Sequence, residues 1–380
     1  MQIDVTVNRE RLLASFLELL AINSTSRHEA PMARKVSALL GELGAEFAPD
    51  NAAEALGGEC GNIIARIAGT LNAPPLLFCA HIDTVAPTEH LSVVRNNGRI
   101  SSDGTTILGA DDKAGVAAIF EMIRALREQA VPHPPLELAF TVAEEIGVMG
   151  SMVLDYSRLQ AKLGFVPDST GAVGKIVTHA PAQKHLSVSI RGKAAHAGMA
   201  PEAGISAITV AARAIAAMRQ GRVDDETTAN IGTIHGGAAT NIVPEIVQIE
   251  GEARSRNPKK LAAQVEHMRA CFDDAARDAG AYVAVEVSDL YPAFNLDESS
   301  PAVTLAKEAL APLGIAPSIV ATGGGSDANF FNGHGIATVI LSAGYHNAHG
   351  TDEYIEEDQL VLLAQWLYNI ATLAGATSKC

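Results

Sequence analysis

Five short segments place residues that can bind a cation or move a proton at the edges of apolar runs: His81-Ile82-Asp83, Asp111-Asp112, Glu144-Glu145, Pro167-Asp168 and His346-Asn347-Ala348-His349. In an extended segment residues two apart point the same way, so Asp83 can hydrogen-bond His81 or lie just behind it, as a carboxylate that orients a metal-bound imidazole does. Asp111 and Asp112 open a helical pattern, where carboxylates are favoured in any case, and one helical step turns the second by about 100° from the first. Only one of the two can therefore face a given site. Adjacent Glu144 and Glu145 suit a division of labour in which one holds a metal and the other stays free to move protons. Asp168 and His349 each follow an apolar run. Taken singly, every one of these is as readily a solvated turn; five together, in a chain without H-E-x-x-H, Walker A, G-x-G-x-x-G or G-x-S-x-G patterns, point to one metal site.

Three carboxylates crowded at one site repel one another, whereas two divalent cations more than neutralise them. Imidazole and carboxylate without thiolate suit zinc, with cobalt or manganese as alternatives. The four cysteines, Cys60, Cys79, Cys271 and Cys380, are scattered and form no C-x-x-C pair, so they read as reduced thiols.

The elements that must position these residues alternate. Helical spacing runs over Arg9–Leu20 and from Met32 to Leu43; strands are expected over Asn62–Ile67, Leu76–Ala80, Leu136–Val142, Leu163–Val166 and Ile336–Leu341, and a core helix after Gly109. Four of these strands run straight into the polar segments above. Strands alternating with helices give an α/β fold with a mainly parallel, helix-covered sheet, and such sheets build sites at the carboxyl ends of their strands. Between about Ala180 and Tyr291 the pattern changes to an α+β unit with a βαββαβ order. Its long helix is punctuated by Asn257 as N-cap, Pro258 at the first helical position and Gly280 beyond the end.

At 380 residues the chain is expected to form two domains, one of residues 1–181 and 293–380, the other of the inserted residues 182–292. A formal charge of −15 would repel nucleic-acid phosphates and anionic lipid headgroups, so neither nucleic acid nor membrane is expected as a partner. Met1 to Glu10 lacks the basic patch and apolar run of a signal peptide, and later apolar stretches are interrupted, which gives a cytoplasmic expectation.

The motifs His81-Ile82-Asp83-Thr84, Gly109-Ala110-Asp111-Asp112-Lys113, Glu144-Glu145-Ile146-Gly147, Pro167-Asp168 and His346-Asn347-Ala348-His349, in this order, resemble the peptidase T-like group of two-zinc exopeptidases. That family includes glutamate carboxypeptidase, aminoacylase, acetylornithine deacetylase and succinyl-diaminopimelate desuccinylase, and the resemblance spans nearly the whole chain. It implies that Asp111 bridges two metals, that His81 and Asp168 complete one site, and that Glu145 and His349 complete the other. Asp83 would support His81, and Glu144 would be the general base that activates a metal-bridging water and passes its proton to the leaving amine. The first domain would then be catalytic and the inserted one a lid that pairs two subunits into a homodimer.

Within the lid, His196 in Ala194-Ala195-His196-Ala197-Gly198 matches the histidine that stabilises the oxyanion in a partner's site. Asn241 and Arg254 match positions that grip substrate, and Gly323-Gly324-Gly325-Ser326-Asp327 resembles the family's substrate loop, with Gly324 and Ser326 as contacts. Tripeptide aminopeptidases tend to carry Pro where this chain has Ala197, so the resemblance fixes the reaction more tightly than the substrate. An aminotripeptidase acting on short peptides is expected first, then a dipeptidase, a carboxypeptidase or a deacylase of acylamino acids. From another class, a non-catalytic metal-binding or regulatory protein would keep the same fold.

Overall fold

The structure, a computed structural model, describes residues 6–377. Cys380 lies outside them, and Cys60, Cys79 and Cys271 are free thiols. Two compact units form: Met1–His179 with Asn295–Thr322 and Ser326–Cys380, and Ala180–Phe294 with Gly323–Gly325.

The first unit is built on a nine-stranded sheet. Its centre holds, side by side, the strands Leu136–Thr141, Leu76–His81, Leu163–Ser169 and Ala337–Ser342, all parallel, while Ile63–Ile67 joins antiparallel at one side and Lys175–Ala180 at the other. The mainly parallel, helix-covered sheet that the alternation of elements leads one to expect is thus what forms. Every residue of Leu76–His81 and of Leu136–Thr141 is buried. Leu136, Leu138, Phe140 and Val142 alternate with Glu137, Ala139 and Thr141 along the expected strand, yet neither face is left to solvent, because helices cover both faces of a parallel sheet. Glu137, on the face that alternation would leave wet, is buried and accepts the backbone N–H groups of Gln160 and Ala161, each at 2.9 Å.

Helices Arg9–Leu20, Ala110–Glu128 and Glu357–Thr377 pack against one another. Phe120 stacks on Phe140 with centroids 5.4 Å apart, which ties the central helix to the sheet. Among the described residues no helix is long and apolar enough to cross a membrane.

A separate four-stranded sheet of Val93–Asn96, Arg99–Ser102, Tyr345–His346 and Tyr354–Glu356 holds the loop that contains His349. Strands of two to four residues leave no periodicity to read, and the sequence pattern did not reveal them.

In the second unit the strands Ala182–Arg191, Thr227–Gly236, Ile246–Ser255 and Tyr282–Tyr291 pair antiparallel, with the two-residue strand Gly221–Arg222 at one edge. Helices Ala207–Ala217 and Pro258–Ala279 pack on this sheet and share its apolar core. The order departs from βαββαβ only by that two-residue strand. The long helix begins and ends where its punctuation indicates: the Asn257 side chain accepts the N–H groups of Lys259 and Lys260, and Gly280 takes φ +68° just beyond the end.

Trp366, the single tryptophan, is fully buried between helices, and its indole N–H donates to the Ala306 carbonyl at 2.9 Å. Replacing it by Ala is expected to cost about 3–5 kcal/mol, read as a lowered denaturant midpoint of the first unit. An unchanged midpoint would contradict the assignment of this contact to the core.

Candidate metal centre

His81 ends its strand and Asp83 follows two residues later. Asp111 opens the helix Ala110–Glu128 with non-helical dihedrals (φ −76°, ψ 110°), Glu144 and Glu145 follow the strand Leu136–Thr141, and Asp168 lies near the end of Leu163–Ser169. His349 stands in the loop of the small sheet at φ +69°. The fold gathers all of these at one place.

Nδ1 of His81 lies 3.0 Å from the backbone carbonyl of Asp83. A carbonyl only accepts, so Nδ1 bears a ring proton, and in the neutral imidazole Nε2 turns its lone pair toward the cluster. That lone pair faces Asp111 Oδ1 at 3.1 Å and Asp168 Oδ1 at 3.6 Å. Beyond Asp111 the pattern repeats: His349 Nε2 lies 3.4 Å from Asp111 Oδ2 and 2.9 Å from Glu145 Oε2. Asp111 therefore offers one oxygen to each group.

Acceptors turned toward acceptors repel unless a proton or a cation sits between them, and Glu145 Oε1 is buried with no hydrogen-bond partner among the described residues. These observations fit a site for divalent cations, and imidazole with carboxylate is a suitable donor set. His81, Asp111 and Glu145 bring ligand atoms within 4.8 Å of one another, and so do His81, Asp112 and Asp168. The two aspartates differ in what else they do. Asp112 Oδ1 accepts the Gly115 N–H at 3.1 Å and caps the helix, so close that a Cβ on residue 115 would stand 2.5 Å from that oxygen. Asp112 Oδ2 is left buried and without a partner among the described residues, but the position shared by both histidines belongs to Asp111.

The surrounding shell was only partly visible in the sequence. Asp83 is fully buried, and its carboxylate accepts the backbone N–H groups of Glu144 at 3.0 Å and Glu145 at 3.2 Å, together with the Ser26 hydroxyl at 2.6 Å. It meets His81 mainly through its own carbonyl, its nearer side-chain oxygen lying 3.6 Å from Nδ1. Glu353 accepts the N–H groups of Gly109, Ala110 and Asp111 at 2.7, 2.8 and 3.1 Å, gripping the turn that presents Asp111. Tyr345 donates its hydroxyl to Asp111 Oδ1 at 2.9 Å and reaches Asp168 Oδ1 at 3.2 Å. Sequence reading missed Glu353 and Tyr345; each lies four residues from His349, the one signal that could have drawn attention to them. Ser326, expected as a substrate contact, is 1% exposed and donates its hydroxyl to Asp168 Oδ2 at 3.0 Å.

The remaining expected residues belong to the second unit. His196 is exposed, and its Nδ1 accepts the N–H groups of Gly198 and Met199, both at 3.2 Å, which leaves Nε2 to carry the proton as a free donor. Asn241 lies beside it, its carbonyl accepting the Ala197 N–H at 3.0 Å. The Arg254 guanidinium is held as a fork by Glu252, at 3.0 and 2.8 Å. Gly324 sits in the Gly323–Gly325 segment.

Electrostatics follow from the crowding. Burial pushes Asp168 up to about 7 and raises Glu145 and, more strongly, Glu144 above the usual carboxylate range. Burial opposes ionisation of Asp111 as well, yet hydrogen bonds from His349 and His81, whose rings gain a second proton beside these carboxylates when no cation is bound, hold it below that range. Hydrogen bonds to Asp111 and Glu145 lift His349 to about 10. A carboxyl with a raised folded pKa loses stability as pH climbs from its unfolded value, near 4, toward its folded one, and His349 adds the same trend above about 6.5. Asp111, already ionised in both states above about pH 4, adds no slope there. The cation-free protein is therefore expected to lose stability between about pH 5 and 7.5, where a bound cation would replace the protons. The gain in melting temperature when zinc, cobalt or manganese is returned to chelator-stripped protein should be larger at pH 7.5 than at pH 5. A gain that is equal at both values, or larger at pH 5, would contradict this account.

The family model described as peptidase family M20/M25/M40 matches residues 77–373. The Bacillus subtilis protein YqjE is 44% identical over 364 residues, 96% of this chain and 98% of that one. Two solved structures superpose closely. An aminopeptidase PepT from Bacillus cereus ATCC 10987 has a TM-score of 0.89 at 44% identity, covering 97% of this chain and 99% of its own. A tripeptidase from Staphylococcus aureus subsp. aureus Mu50 has a TM-score of 0.92 at 38% identity, covering 98% and 100%. With the histidine–carboxylate cluster at the strand ends, these likenesses make the chain a hydrolase that belongs to peptidase family M20/M25/M40.

Proposed function

We propose that this chain is a two-metal aminopeptidase that acts on short peptides, tripeptides first, with zinc as the metal and cobalt or manganese as substitutes. The observation that carries the reading is the division of Asp111, one oxygen toward His81 and Asp168 and the other toward His349 and Glu145. The tripeptide preference draws on the similarity to proteins described as an aminopeptidase PepT and a tripeptidase.

In this reading His81 and Asp168 would hold one cation, Glu145 and His349 the other, and Asp111 would serve both. Cations held there supply Lewis acidity toward the scissile carbonyl and neutralise the crowded carboxylates. Asp83 keeps Glu144 and Glu145 in place through their backbone N–H groups. Burial raises the proton affinity of Glu144, which suits it to take a proton from the attacking water and hand it to the departing amine. His196, with Nε2–H free, is the donor we assign to the developing oxyanion, and Asn241 and Arg254 the groups that meet the rest of the substrate. The first unit is then the catalytic domain and the second a lid.

A homodimer through the second unit accompanies this reading. Ile208, Ile234, Ile242 and Ile246, each more than 40% exposed, lie in this unit, and Ile234 is on the strand Thr227–Gly236, whose outer edge pairs only with the two-residue strand Gly221–Arg222. Exposed apolar side chains beside an open strand edge suit association with a second copy.

Metal-loaded protein should hydrolyse tripeptides faster than dipeptides, peptides blocked at the amino terminus or N-acyl amino acids. A preference for one of those three would reassign it to a dipeptidase, carboxypeptidase or deacylase role respectively. Glu144→Gln should lower kcat by about 10²–10⁴ with the metal content unchanged; full activity in that variant would favour a non-catalytic metal-binding protein. Light scattering should give a dimer mass, and an active monomer would overturn the assignment of His196 to a neighbouring subunit's site.

A further inference from the structure

We infer that Tyr345 is a positioning residue for one of the two cation positions and not for the other, its hydroxyl holding Asp111 and Asp168 in the geometry of ligands. The inference rests on the two-metal reading above. Tyr345 is 1% exposed, and its hydroxyl finds its acceptors within the protein. The group lies 2.9 Å from Asp111 Oδ1 and 3.2 Å from Asp168 Oδ1, the same two oxygens that face His81 Nε2. Among the described residues the hydroxyl bonds Asp111 Oδ1 and Asp168 Oδ1, whereas His349 faces Glu145 and Asp111 Oδ2.

The backbone fixes this hydroxyl from two sides. Tyr345 pairs with Ile355 in the small sheet, and its carbonyl accepts the Gly171 N–H at 2.7 Å, close after the strand that bears Asp168. Asp168 is in turn held at its other oxygen by the Ser326 hydroxyl, so each of its oxygens meets a neutral hydroxyl, the single phenol proton being shared between Asp111 Oδ1 and Asp168 Oδ1. Neutral O–H donors steady two like-charged carboxylates at short range without supplying a countercharge that would compete with a cation. A phenol buried only for packing would need some acceptor, but nothing would require that both acceptors belong to one cation position.

The test titrates chelator-stripped wild type, Tyr345→Phe and, as a control for loss of a phenol elsewhere, Tyr368→Phe with cobalt(II) alone, followed by calorimetry and visible absorption. Wild type is expected to take up two ions. Tyr345→Phe should bind one of them about 10- to 100-fold more weakly, with a changed cobalt absorption band for that ion and the other unaltered, while Tyr368→Phe matches wild type. As a measurement that needs no variant, a tyrosine ultraviolet difference band in wild type should grow with one cobalt equivalent and not with the other. Two ions bound with unchanged affinities and spectra in Tyr345→Phe, or a difference band that follows neither equivalent, overturns this inference alone. A wild type that never takes up a second ion overturns the two-metal reading and this inference with it.

Discussion

The first unit must hold hydrogen-bond acceptors face to face. Two imidazole nitrogens and the oxygens of Asp111, Glu145 and Asp168 crowd within a few ångströms, and water is largely excluded from all but His349. Such an array would relax if its members could swing away. They cannot, because the segments that bear them are gripped by further carboxylates acting on backbone N–H groups: Asp83 on residues 144 and 145, Glu353 on residues 109 to 111, and Glu29 on Ala143 at 3.0 Å. Charged acceptors on amide donors are among the stronger hydrogen bonds available, and here they are buried, where competition from water is weakest. An acidic cluster is thus held in shape by a second layer of acids.

The two histidines sit in unlike surroundings. His81 is 1% exposed and bound through Nδ1 to a carbonyl, whereas the His349 side chain is 53% exposed and stands on a loop of the small sheet. A buried, oriented imidazole is a rigid ligand; an exposed one on a loop with positive φ at both Asn347 and His349 depends on its partners for its position.

Much of this was legible in the sequence because its signals are local. Strands that stop at His81, Thr141 and Ser169 announce themselves as apolar runs, and the caps of the helix Pro258–Ala279 lie beside the residues they serve. The choice between Asp111 and Asp112 was not legible from spacing, since the irregular start of that helix decides which one turns inward. Nor could the sequence reveal that Glu252 grips Arg254, that the Asp83 carboxylate serves the backbone of residues 144 and 145, or that Ser326 points at Asp168. The last two are long-range pairings, which leave no period and no motif, while Glu252 and Arg254 share a face of one strand and only the register of neighbouring side chains decides that they meet. The pairs of short strands around Tyr345 escaped for the same reason, and with them the phenol and Glu353.

The order of the cluster along the polypeptide also matters while the chain is being made. His81, Asp111, Glu145 and Asp168 leave the ribosome early, but His349, Tyr345 and Glu353 follow only after the whole second unit, roughly two hundred residues beyond Glu145. A nascent chain passes through a long interval with an acidic half-site and nothing to close it. On the two-metal reading, complete metallation would be a finishing event of biosynthesis, and an interrupted translation product would have the carboxylates without the means to retain what they attract.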